Sequence, residues 1–141
     1  MKRAIARARE QRGAAAVEFA LVFPMLVLLV FGIIDFGLLV NANVTVANAT
    51  RDAARTASLG GTEAEIRAQA TAGLTGLSAR DAGFVTVTVT CAKPAATCST
   101  YSQTTSGDTA IVNIQVVHQW LFPLWPWPSM TVSQTNQMRI E

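Results

Sequence analysis

Hydrophobic and polar positions divide this chain into three stretches with different periods. From Phe19 to Val40 the sequence is almost wholly apolar, FALVFPMLVLLVFGIIDFGLLV. As a helix rising about 1.5 Å per residue, it reaches across roughly 30 Å of hydrocarbon. Pro24 lies early in the run and is expected to kink or loosen it locally, while Gly32 and Gly37 permit close helix approach in lipid. Beyond Val40 the apolar positions thin to alanines at helical spacing, Ala42, Ala47, Ala49, Ala53, Ala54 and Ala57, until Gly60-Gly61 stops the pattern. One helix from about Ala14 to Leu59 is therefore expected, with Arg51, Asp52 and Arg55 on its polar side.

Thr62-Glu63-Ala64-Glu65 has the form of a capping box. Ile66, Ala70, Leu74 and Leu77 follow at helical spacing, which predicts a short amphipathic helix ending near Ser78. After Asp81-Ala82-Gly83 the period falls to two. Phe84 to Cys91 alternates valine with threonine, Ala110 to Gln119 reads AIVNIQVVHQ, and Met130 to Ile140 places Met130, Val132, Met138 and Ile140 on one face. Those stretches predict three strands of a small antiparallel sheet with a helix packed against it. The expected fold class is α+β: a long N-terminal transmembrane helix extending into a small external domain. Its organisation reads as a basic leader over residues 1–13, a long helix over 14–59 with its span at 19–40, and an external domain over 60–141.

Charge orients this arrangement. The formal net charge is only +2, but residues 1–12 carry Lys2, Arg3, Arg7, Arg9 and Arg12 against Glu10 alone. A basic flank stays on the cytoplasmic side of an apolar span, so everything after Val40 is expected outside. The basic tail is short and lacks interleaved aromatics, so a topology signal accounts for it without nucleic-acid binding. An ordinary secretory signal has a shorter apolar core and no Asp35, although Ala47-Asn48-Ala49 matches a small-residue cleavage pattern beyond the run.

Candidate chemistry is sparse. The two cysteines, Cys91 and Cys98, lie on the expected external side, where an oxidising compartment favours a disulfide over a metal site lacking further ligands. The lone His118 falls inside a predicted strand, as a packed or edge histidine rather than a general base. No phosphate loop, paired-carboxylate motif or metal-ligand cluster is present in the sequence, so no enzyme, cofactor or metal is expected. Trp120 to Pro128 alternates proline with aromatics and cannot form a ladder. Trp120, Trp125 and Trp127 suit a loop folded over the sheet edge, a lipid-interface contact or a partner platform.

Glu18 is the residue that most requires a reason, because a carboxylate at the edge of an apolar span is costly. A cut after Gly13 would make Ala14 a new amine and place Glu18 fifth in the mature chain, so that ammonium and carboxylate neutralise each other between neighbouring helices. The alternative is a carboxylate snorkelling to the membrane edge. Asp35 lies about 25 Å along the helix from Glu18. Hydration near the outer interface is expected for it, with contact to a partner helix as the sharper alternative.

Arg12-Gly13-Ala14-Ala15-Ala16-Val17-Glu18-Phe19-Ala20-Leu21, then Pro24 and Phe31-Gly32-Ile33-Ile34-Asp35-Phe36-Gly37, resembles the TadE-like family. Ala49 to Ala57 resembles that family's following A-x-R-x-x-A-R-x-A stretch, and Met138 to Glu141 a common ending. The resemblance implies a minor pseudopilin of the Tad (Flp) pilus system, held in the bacterial inner membrane with its N-terminus cytoplasmic. It implies prepilin peptidase cutting between Gly13 and Ala14, and assembly through Glu18 and Phe19. The implied partners are Flp pilin, other pseudopilins such as TadF-like subunits, the peptidase and the Tad inner-membrane platform. The alternative is an uncleaved single-pass anchor whose external domain binds a partner or surface.

Overall fold

A computed structural model describes residues 2–93, 98, 100–121 and 129–141, with side chains from residue 15 onward except Gln103. Helix α1 runs from Lys2 to Ser58, with Pro24 inside it. It begins earlier than Ala14 because residues 2–12 are rich in alanine, arginine and other straight-chain helix formers. By packing, the chain divides into Met1–Phe36 and Gly37–Glu141. The first unit is the helix alone. The second combines the end of α1 with α2 (Glu63–Gly73) and strands β1 (Val85–Ala92), β2 (Thr109–His118) and β3 (Met130–Arg139).

The architecture is mixed α+β, as the periodicities predict. The sheet has order β1-β2-β3 with both pairings antiparallel, and β2 is central. Its valine, isoleucine and alanine positions alternate inward: Ala110, Val112, Ile114 and Val116 are all fully buried. Against them pack Val46, Ala49, Ala53, Ala54 and Ala57 of α1 with Ile66, Ala70 and Leu74 of α2. The alanine stripe therefore forms one wall of a core closed by two helices. Small residues there bring the helical backbone close to its neighbours, and the buried area supplies the stabilisation.

The capping box forms as its sequence predicts. Thr62 N–H donates to Glu65 Oε2 at 2.8 Å, and Glu65 N–H donates to Thr62 Oγ1 at 3.3 Å. Thr62 backbone donation, then its side chain, hold the Glu65 carboxyl below its ordinary value. Helix α2 ends at Gly73, short of the expected Ser78. The residues beyond it turn instead, with Leu77 N–H bonded to Leu74 O and Asn41 Nδ2 donating to Gly76 O at 3.0 Å. Gly73 has a packing role: a Cβ there would meet Ala49 Cβ at 2.8 Å. Only a hydrogen in that place lets α2 lie so close to α1.

Two further ties close the domain. Tyr101 Oη lies 2.9 Å from Gly61 O and 3.2 Å from Ala57 O, joining the sheet side to the end of α1. Burial pushes its hydroxyl pKa upward. The chain end is held by Gly107 N–H to Ile140 O and Ile140 N–H to Asp108 O, at 2.9 and 2.8 Å. Gly107 occupies the left-handed region, φ 93°, which the turn requires.

Candidate functional site in the N-terminal helix

The first unit presents apolar side chains on every side. Val17, Phe19, Leu21, Met25, Ile33 and Phe36 are each more than 60% exposed. A helix apolar all round is stable only in lipid or among other helices. Among the described residues, α1 supplies the single helix long and apolar enough to cross a membrane.

Gly13 and Ala14 lie within the helical backbone of α1. Glu18 follows Ala14 by four residues, one turn further along the same side, and its side chain is exposed. Phe19 is 63% exposed and stacks in a tilted pair with Phe23, ring centroids 5.3 Å apart. The helix thus carries a carboxylate and an aromatic pair at the start of its apolar run, open to a neighbour. Asp35 differs from its expectation: it is 6% exposed rather than hydrated, and it does not lack a partner.

In the second unit, Cys91 and Cys98 form a disulfide with Cα atoms 5.5 Å apart. Next to that loop, Asp108 Oδ2 accepts from Thr105 N–H and Oγ1 at 2.8 and 3.0 Å, with Lys93 Nζ at 3.5 Å. Those bonds, the backbone one foremost, keep its carboxyl below the usual value.

His118 is buried as anticipated, but the sequence reading missed its partner. Its Nδ1 is 2.9 Å from Asp81 Oδ2, and both side chains are 1% exposed. Asp81 Oδ1 accepts from Gln119 N–H at 3.0 Å. Burial alone would raise the Asp81 pKa; the donors Gln119, His118 and Ser78 outweigh it and hold the carboxyl low. His118 Nε2 is buried without a hydrogen-bond partner. The imidazole meets the Trp120 ring edge-on at 5.2 Å, and Arg80 Nη1 donates to Trp120 O at 2.9 Å. The turn at residues 80–81 therefore fixes the start of the tryptophan-rich loop; Trp125 and Trp127 lie outside the described residues. One signal could have prompted the search: period-two burial puts His118 in the core, and a buried imidazole demands a polar partner, though neither identifies Asp81.

No group of histidine, cysteine and carboxylate ligands able to hold a metal occurs among the described residues. What the geometry defines is a membrane-capable helix, with most large apolar side chains from Val17 to Phe36 exposed, followed by a disulfide-closed α+β domain. The family model for TadE-like protein matches residues 13–55, the segment holding Gly13, Ala14, Glu18, Phe19 and Asp35. Over that segment, which includes the membrane-capable part of α1, the chain is similar to TadE-like proteins. Comparisons with curated proteins and with solved structures return no match.

Proposed function

We infer that the chain is a minor pseudopilin: cut after Gly13 by prepilin peptidase, then assembled through its N-terminal helix into a Tad-type pilus. The observation carrying this reading is the family match beginning at Gly13, on a helix that exposes most of its large apolar side chains from Val17 to Phe36. Cleavage would leave Ala14 as an ammonium one helical turn from Glu18. Both charges then sit where the apolar run begins, each paired by its opposite on a neighbouring subunit instead of remaining unpaired in low dielectric. Phe19 and Phe23 supply apolar contact beside that pair. The basic leader keeps the N-terminus cytoplasmic until the cut, and the α+β domain is carried outside the inner membrane.

The test is the N-terminal residue of the protein isolated from native membranes, read by mass spectrometry with and without prepilin peptidase. A chain starting at Ala14 only in the presence of the peptidase supports the reading. An uncut N-terminus in both strains would replace it with a fixed single-pass anchor.

A further inference from the structure

Backbone pairing leaves one edge of the sheet open. Val117 N–H donates to Phe84 O and Ile140 N–H to Asp108 O, which fixes the parity of both ladders. The odd residues of β2 turn their N–H and C=O groups toward β1, and its even residues turn theirs toward β3. The groups on the far side of β1 are therefore those of Val85, Val87, Val89 and Cys91. On the far side of β3 they are those of Thr131, Ser133, Thr135, Gln137 and Arg139.

The two edges differ. At β1, Arg67 of α2 donates from Nη1 to Val87 O at 2.6 Å, and Val89 and Cys91 are buried. At β3 all five residues are exposed, and among the described residues no hydrogen bond reaches their outward backbone groups. Natural sheets protect such an edge with charge, proline or a bulge, because it templates another strand. From Met130 to Met138, β3 has none of these: its register with β2 is unbroken, and Arg139 stands only at the end. Beside the edge runs a groove of about 320 Å³, between Leu39, Val40 and Asn43 of α1 and residues 130–133 of β3. Successive strand residues point to opposite faces, so a groove touched by four in a row lies along the edge itself.

We propose that the β3 edge receives an extended polypeptide strand of a partner protein, which joins the sheet as its fourth strand. N–H and C=O groups repeating together at about 6.8 Å are matched by another peptide backbone, and not by a lipid or a sugar. The side chains of β3 also set those of the occupant. Beside Met130 and Val132 at one end, and Met138 and Ile140 at the other, it needs apolar residues; beside Gln134 and Asn136 it needs amides or hydroxyls. A second β3 would satisfy this pattern in antiparallel register about Thr135, but α1 opposes it. Asn43 Oδ1 accepts from Gln134 Nε2, and Ser58 O accepts from Glu141 N–H, so α1 and β3 run in the same direction. Antiparallel pairing would turn the second α1 round, which two copies anchored alike in one membrane do not allow. The proposal stands independently of whether Gly13 is cut.

A free peptide carries no α1, so a capped, labelled peptide with the sequence of residues 130–140 is a probe of the required pattern. The test is its fluorescence anisotropy, titrated with the full chain in neutral detergent. The expected result is saturable binding. N-methylation of the peptide at Ser133 and Gln137, whose N–H groups face the protein, should weaken it at least tenfold. N-methylation at Gln134 and Asn136, which face away, should leave it within about threefold. In the chain, Thr135→Pro removes an outward N–H without touching a bond to β2, and should also weaken binding at least tenfold. Circular dichroism confirms that this variant folds; the methylated peptides decide the matter without altering the protein. Absence of saturable binding, equal binding by both methylated peptides, or full binding by a folded Thr135→Pro chain would overturn the proposal. So would dimerisation of the full chain that the peptide dissolves, which would assign the edge to a second copy.

Discussion

His118 Nδ1 stands 2.9 Å from Asp81 Oδ2 across 37 residues of sequence, with both side chains sealed from solvent. That bond joins the end of β2 to the turn before β1. Through Gln119 N–H and the Arg80 bond to Trp120 O, the same turn also fixes where the tryptophan-rich loop departs. Asp81→Asn keeps the shape but weakens the charge-assisted acceptor. Equilibrium urea unfolding of the domain in detergent should show a loss of about 1–3 kcal/mol.

The same carboxylate sets an acid limit. Its folded pKa lies below the ordinary value of 3.8, so the unfolded chain binds its proton first as pH falls. The stabilisation is complete above that ordinary value and disappears as pH drops through the lower folded one. Thermal melts from about pH 5 to about pH 2 should show a falling Tm in the parent and a flatter profile in Asp81→Asn. Glu65 and Asp108, shifted the same way, supply the residual slope.

Gly73 tests the close approach of the two helices. Gly73→Val pushes a branched side chain onto Ala49 and should cost about 1–3 kcal/mol through overpacking. Ala49→Gly in that background opens the space again. A double-mutant cycle should recover part of the loss, with a coupling of about 0.5–3 kcal/mol.

Reducing the Cys91–Cys98 bridge, or replacing both residues with serine, frees a short loop in the unfolded chain. Chain-entropy reasoning gives a loss of about 2–3 kcal/mol. Urea midpoints measured with and without reductant check it; equal midpoints would show that the bridge adds nothing to stability.

Glu18→Gln removes the charge at the start of the apolar run while keeping its volume. Membrane insertion should be unchanged, and incorporation into sheared pilus fractions should fall by at least tenfold. Immunoblots of membrane and pilus fractions read both. Normal incorporation of Glu18→Gln would discard the charge-pairing step of the proposed assembly.

Much of this fold is written in local order. The apolar run from Phe19 to Val40, the alanine spacing to Ala57, the Thr62–Glu65 box and the valine–threonine alternation from Val85 each depend on neighbours within a few residues. The R-G-x-x-x-V-E-F-A-L pattern is local too, and the family match from Gly13 to Arg55 falls on that same stretch. Other features require the chain to return on itself. Gly73 limits α2 because Ala49 lies against it, and Tyr101 finds Ala57 and Gly61 some forty residues away. Asp81 read as an ordinary turn residue until β2 carried His118 to it. Asp35 read as hydrated, whereas its side chain is buried, which the apolar segment around it does not reveal. Period and propensity act over one or two turns of chain, whereas hydrogen-bond partners and close contacts arise only when distant segments meet.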